Sequence, residues 1–281
     1  MKKLLLPFFF LIAAGASAQK VSGKLTFQKG QKLEVVTNMN TTTEMMMGES
    51  SNKAVSTEVY EVKDVAGSNA TLERSMKKLK MNLSIMGQEK SIDSDNPEDL
   101  KGMLGDPIKD ILASKNEFTV DASGKIVAVK AAEKKGKAGN GMMDMFLQGM
   151  NVGAASPTEG ASSFFKILPA QEVGKGDTWK DSTSTAGTTM LTSYTVKDIT
   201  DTEIVLDFVS DGTLDTKQDM MGMSVTVKGT IKSNGGITLD KATGLPKQKT
   251  VTTITDSAAN LNGQEMNTKA KSTAVITVKA I

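Results

Sequence analysis

The chain has 281 residues, with 34 Lys and Arg against 32 Asp and Glu, and it contains neither cysteine nor histidine. The absence of these two residue types excludes thiol chemistry, histidine-assisted nucleophiles, disulfides and ordinary zinc or copper sites. Arg74 is the only arginine, which leaves almost none of the bidentate phosphate and guanine contacts that nucleic-acid readers favour, so we exclude nucleic acid as a partner.

The amino terminus, residues 1–18, has the pattern of a cleavable signal peptide. Two lysines precede an apolar run over residues 4–14, and Ala-Ser-Ala follows as a cleavage site, which predicts cleavage between Ala18 and Gln19. No later stretch approaches the length that a transmembrane helix needs, and there is no cysteine for a lipid anchor. We therefore predict a periplasmic or secreted protein that does not span the membrane and is not a lipoprotein.

The first half of the mature chain, residues 19–133, has the pattern of paired β-strands. Apolar and polar residues alternate with a period of two over 33–65 and 70–92, and this is typical of strands with one buried face. We expect each of these two segments to form a β-hairpin.

Two segments are predicted to be helical. In the insertion 97–115, Asn96 and Asp106 each precede a proline in the manner of helix N-caps, which indicates two short helices or one kinked helix. The linker 134–170 has apolar residues at helical spacing, and residues 156–159 form a capping box. We expect this linker to join the halves through helices.

The second half, residues 171–281, again predicts hairpins, over 178–199, 203–231 and 250–281. Ser-Asn-Gly-Gly at 233–236 is typical of a tight turn, because Asn-Gly supplies the positive φ angles that a two-residue hairpin loop requires.

Sequence similarity between the halves indicates an internal duplication. The strand at 56–65 lines up with 193–199 and 272–281, and Lys-Gly opens both halves at 29–30 and 175–176. The predicted fold class is mainly β with inserted helices (β+α). Two duplicated halves of antiparallel hairpins would form a curved sheet or half-barrel, with helices covering one face.

Methionines are concentrated where the hairpin tips are predicted. In an antiparallel meander these tips share one end of the sheet, so their thioethers could form an adaptable apolar surface for a lipid, a peptide or a partner protein. Alternatively, the tips fold inward and pack beneath the Met-rich helix at 142–150. Soft sulfur ligands for Cu(I) are a further alternative, although no histidine or cysteine assists them.

Several motifs resemble those of an uncharacterised domain-of-unknown-function family of exported Gram-negative bacterial proteins. They are the leader ending in Ala-Ser-Ala-Gln, the Lys-Gly start of each half, Asp-Ala-Ser-Gly-Lys-Ile at 121–126, and Leu168-Pro169 leading into Gly-Asp-Thr-Trp at 176–179. The resemblance implies no activity and no site residues. In organisation the predicted sheet also resembles the open half-barrels of periplasmic lipoprotein and lipid carriers.

The sequence therefore favours a binding function over an enzymatic one, with no cofactor and no metal. We expect an apolar ligand, a lipid or a peptide, between the curved sheet and the helical segments 97–115 and 141–168. The alternative is a cell-envelope module that binds a partner protein through its Met-rich tips. The candidate contact residues are Met45, Met46, Met47, Met86, Met142, Phe146, Phe164, Phe165, Met220, Met221 and Met223.

Overall fold

The structure is a computed structural model. It describes residues 19–45, 48–85, 88–101, 105–130, 156–185, 187–220, 223–261 and 264–281.

The described residues form fourteen β-strands and one α-helix. In the first half of the chain these are β1 (Lys20–Val21), β2 (Lys32–Met45), β3 (Gly48–Ala66), β4 (Asn69–Ile85), β5 (Gln88–Asp93), α1 (Gly105–Ala113), β6 (Lys115–Val120) and β7 (Ile126–Lys130). In the second half they are β8 (Val173–Gly174), β9 (Thr178–Thr185), β10 (Thr188–Ile199), β11 (Glu203–Met220), β12 (Met223–Asp240), β13 (Pro246–Leu261) and β14 (Gln264–Ala280).

Twelve of the strands form one antiparallel sheet in the order β7-β6-β4-β3-β2-β14-β13-β12-β11-β10-β9, with β5 paired to β4 outside this path. The five predicted hairpins are confirmed as neighbouring strand pairs. The last long strand, β14, pairs with β2 from Thr268 opposite Met45 to Ala280 opposite Leu33. This pairing joins the two halves of the chain in a single sheet.

The predicted fold class is wrong in its helical part. The described residues are nearly all β, and their single helix, α1, lies within the predicted helical insertion 97–115 and packs mainly against β4. Residues 97–100 form turns, and the capping box at 156–159 opens a segment of turns and loops without a helix. Among the described residues, helices therefore do not cover a face of the sheet, and the predicted helix at 142–150 lies outside these residues. No helix in the described ranges has the length and apolar character to cross a bilayer.

A second correction concerns 233–236, which was predicted to be a tight turn. These residues lie inside β12 and pair with β11 on one side and β13 on the other. The physical reason is close packing, because a Cβ on Gly235 would lie 1.8 Å from the carbonyl oxygen of Thr250 and 3.0 Å from Cε1 of Phe208. The glycine is needed here for the approach of its neighbours and not for a turn.

Strand β4 shows how the sequence holds one face inward. Leu79, Met81 and Leu83 alternate with exposed residues and are almost completely buried. A register shift opposite Thr57 and Glu58 leaves Lys77 without a cross-strand partner. This bulge reverses the alternation, so the even-numbered residues before it and the odd-numbered residues after it are buried on the same face.

Candidate functional site

The sheet curves around a cavity of about 760 Å³. Ile126 of β7 and Thr188 of β10 both line it, although nine strand spacings separate these strands in the sheet order. In a flat sheet they would be about 43 Å apart, so the two margins of the sheet must curl toward each other. The apolar part of the lining includes Val35, Met39, Phe164, Val251, Ala274 and Ile276.

A segment between the halves, residues 156–168, connects the two margins, and we call it the closing segment. On one side Gly160 N donates to the Ile126 carbonyl (2.8 Å), and on the other Lys166 Nζ lies 3.1 Å from Asp181 Oδ2 on β9. Gly124 permits this approach, because its φ is +83° and a Cβ would lie 2.9 Å from Cβ of Lys166. The closing segment takes the place that the sequence assigned to a covering helix.

A row of hydroxyl side chains crosses the concave face at mid-height. Each of six neighbouring strands contributes one serine or threonine, and the six are consecutive partners in the register. The hydrogen-bonded pairs are Thr41 with Ser272 (2.8 Å), Thr253 with Ser233 (2.9 Å) and Ser210 with Thr192 (2.8 Å). This hydroxyl row makes the concave face amphiphilic, because it places polar groups close to apolar side chains. The hydroxyls form hydrogen bonds with one another within the sheet.

In the first half, a charged group lines the cavity. The Tyr60 hydroxyl donates to Glu58 Oε2 at 3.3 Å, and Arg74, which is 8% exposed, is the cross-strand partner of Tyr60. Burial raises the pKa of Tyr60 well above its ordinary value; the Glu58 carboxylate raises it further, whereas Arg74 opposes the rise. The buried cation Arg74 therefore lies in one group with Tyr60 and the Glu58 carboxylate.

In the second half of the chain, aromatic side chains occupy the corresponding positions of the sheet. The Tyr194 and Trp179 rings stack with centroids 5.1 Å apart, and Phe208 follows 6.2 Å from Tyr194. The ring of Phe208 extends across Gly235, and Lys249 Nζ lies 5.0 Å from the ring centroid. Lys249 lines the cavity, and burial alone lowers its pKa. Cation–π contact with Phe208 compensates part of this desolvation.

Of the candidate residues from the sequence, Phe164 lines the cavity and stacks on Tyr60, with centroids 6.3 Å apart. Phe165 is completely buried against Phe27 and Tyr60 in the core. The backbones of Met45, Met220 and Met223 lie at the hairpin ends. Met46, Met47, Met86, Met142, Phe146 and Met221 lie outside the described residues. The binding role of these eleven residues stays a prediction.

Sequence reasoning missed Lys249, Arg74, Glu58 and the hydroxyl row. The available signal was the alternation in β13, where Lys249, Val251 and Thr253 share one face. A lysine on the inner face of a strand is unusual, because lysine is rarely buried without a partner. That signal identifies a candidate residue, but the other members of the site come from distant strands.

The sequence model of a protein family of unknown function matches residues 67–246, well over half of the chain. This confirms the resemblance to a domain-of-unknown-function family. No curated protein matches.

Among solved structures, one of lipovitellin that concerns lipid–protein interactions matches with a TM-score of 0.50 and 12% identity, covering 90% of this chain and 25% of that one. This chain thus spans about a quarter of the lipovitellin chain, and the likeness is one of fold. An outer membrane channel from Pseudomonas putida F1 matches with a TM-score of only 0.23 and 7% identity, covering 91% of this chain and 98% of that one.

Proposed function

This chain belongs to that family, DUF6263, and we propose that it is an exported, non-catalytic protein that binds an amphiphilic, lipid-like ligand inside its curved sheet. The observation that carries the proposal is the cavity of about 760 Å³, which lies in the size range of small-molecule sites. The ligand would lie between the sheet and the closing segment.

The lining favours a lipid-like ligand over a small polar one. Val251, Ala274 and Met39 are neighbours across three strands and offer a continuous apolar strip. Burying an alkyl chain against such a surface is favourable by about 0.8 kcal/mol per CH₂ group. The hydroxyl row lies beside this strip, and its hydroxyls pair with one another across the strands, so it places no charge against the apolar surface. The fold likeness to lipovitellin, a protein studied for its lipid interactions, also supports the proposal.

Native mass spectrometry of the protein secreted from a bacterial host would test the proposal. We expect a chain that begins at Gln19 and carries lipid adducts. In the Ala274→Trp variant the indole would occupy part of the cavity, and we expect about tenfold less adduct, because the loss of two buried CH₂ contacts costs roughly that factor. Val275→Trp is the matched control, since Val275 is the next residue on β14 and lies exposed on the outer face.

Equal adduct levels in both variants would show that lipid binds elsewhere. Wild-type protein that carries no lipid, and that binds none after exposure to oleate vesicles, would contradict the proposed function. A chain that keeps residues 1–18 would contradict export by signal cleavage.

A further inference from the structure

Two cations line the cavity, a buried arginine, Arg74, and a half-buried lysine, Lys249, and they differ in their surroundings. Arg74 lies in the group with Glu58 and Tyr60. Lys249 has Ile237 and Ile276 as its cross-strand neighbours. In the part of the chain that the structure describes, no carboxylate forms an ion pair with Lys249, and its nearest polar interaction is the face of the Phe208 ring.

An ammonium group in this position is costly without an anion. Withdrawing a charge from water is unfavourable unless an opposite charge or several hydrogen bonds replace the water. The lowered pKa of Lys249 reflects this, because burial is its only cause. A bound anion beside Nζ would reverse the penalty, and the cavity provides the space for it.

We propose that Lys249 binds the head group of the ligand, and that the ligand class is single-chain anionic amphiphiles with a carboxylate or phosphate head. This inference rests on the proposed function and names the chemistry of its ligand. The head group would accept a charge-assisted hydrogen bond from Nζ, and the adjacent Phe208 ring would orient the ammonium.

The direction of the alkyl chain follows from the packing around Lys249. On the side away from the hairpin tips, the paired residues Ile204 and Leu239 are almost completely buried in a filled core, which leaves no room for a chain. On the other side, Val251, Thr253 and Thr255 line the cavity along β13. From Lys249 to Thr255 the strand rises about 20 Å, so the chain would lie along β13 across the hydroxyl row.

The test uses three probes that share one chain: oleate, oleyl phosphate and oleyl alcohol. Each is titrated calorimetrically into delipidated wild-type protein and the Lys249→Met and Lys271→Met variants, the two anions below their micelle concentrations and the alcohol below its solubility limit. Lys271 is the matched control, because it is exposed on the outer face of β14. Circular dichroism and thermal unfolding confirm that each variant is folded.

We expect wild-type protein to bind at least one anionic probe about tenfold or more tightly than the alcohol. Lys249→Met should weaken binding of that probe by about 10- to 100-fold, the range that a charge-assisted hydrogen bond provides. Its affinity for oleyl alcohol should stay unchanged, and Lys271→Met should behave as wild type. The probe that loses more affinity identifies the head group as carboxylate or phosphate.

Three results would overturn the head-group role while leaving the proposed function intact. The first is wild-type protein that binds the alcohol as tightly as both anions, and the second is a Lys249→Met variant that binds oleate and oleyl phosphate like wild type. The third is a Lys249→Met variant that loses the alcohol together with the anions. If no probe binds wild-type protein, the proposed function itself fails.

Discussion

Tyr60 in the first half and Tyr194 in the second occupy corresponding places in the duplicated hairpins, yet their cross-strand partners are Arg74 and Phe208. The first tyrosine donates to a carboxylate, whereas the second stacks on Trp179. The cross-strand partner of this position in the repeat is therefore a cation in one half and an aromatic ring in the other.

The turns of the two halves, in contrast, are alike. Lys29 pairs with Asp64 at 2.9 Å, and Lys175 pairs with Asp198 at the same distance. Gly30 and Gly176 both have positive φ angles, at 82° and 88°.

A second pair of turns is conserved in the same way within the chain. Asp121 Oδ1 accepts hydrogen bonds from the amide (2.9 Å) and hydroxyl (2.7 Å) of Ser123, and Asp240 Oδ1 accepts the same two from Thr243 at the same distances. The repeat has thus kept its turns, while the inner side chains differ. Turns set register, and inner side chains set the chemistry of the cavity, so we infer that the turns maintain the scaffold and that, under the proposed function, the inner face determines which ligand binds.

The aromatic half should depend most strongly on Gly235, because only a missing side chain lets Phe208 lie across β12. We expect Gly235→Ala to destabilise the protein by about 3 kcal/mol, since the new Cβ would overlap the Thr250 carbonyl and displace the Phe208 ring. Gly236→Ala is the matched control, because its Cβ would make an ordinary 3.6 Å contact with Thr250 Oγ1. Urea unfolding of both variants measures the difference.

Similar stabilities for these two variants would mean that the close approach of β12 and β13 at Gly235 is not required. A destabilised Gly235→Ala variant that keeps its Trp179 fluorescence unchanged would mean that the aromatic stack does not depend on the position of Phe208.

The hairpins and the duplication could be predicted from sequence because their signals are local. Alternation and turn residues determine a strand pair within about twenty residues. The pairing of β14 with β2 joins residues more than two hundred positions apart, and no local pattern encodes it. Asn234-Gly235 was misleading for the same reason: a typical turn dipeptide is used here for a close approach that depends on strands β11 and β13.

The candidate site was less predictable than the fold. The capping box at 156–159 is a valid local signal for a helix, but this segment instead bridges two sheet margins that meet only when the sheet curls. The inward direction of Lys249 follows from alternation. Among the described residues no carboxylate lies beside Lys249, because the pairing register of β13 with β12 and β14 places other side chains there. This register cannot be obtained from the pattern of a single sequence.

The contrast between the two cations can be tested through stability. We expect Arg74→Met to destabilise the protein by about 2 kcal/mol, because it leaves Glu58 and Tyr60 without the cation that is part of their group. Lys249→Met should be neutral or slightly stabilising in the ligand-free protein, since it replaces a desolvated ammonium with an apolar side chain of similar length. Denaturant unfolding of delipidated samples provides the comparison, and a larger loss for Lys249→Met would show that the lysine has a structural role.

The smallest expected effect concerns the two tyrosines, the only ones in the chain. Burial, with a contribution from the Asp181 carboxylate, raises the pKa of Tyr194 to about 12. Deeper burial, with a contribution from the Glu58 carboxylate, raises the pKa of Tyr60 further, although Arg74 opposes this rise. In the unfolded chain both titrate near their ordinary value of about 10. Between these values only the unfolded state releases the phenol protons, so stability is complete below pH 10 and falls as the pH rises toward 12.

The order of the two titrations can be measured in variants that retain one tyrosine each. The tyrosinate absorbance of Tyr60→Phe, which retains only Tyr194, should rise at a lower pH than that of Tyr194→Phe. The reverse order would show that the deeper burial of Tyr60, together with the Glu58 carboxylate, does not raise its pKa above that of Tyr194.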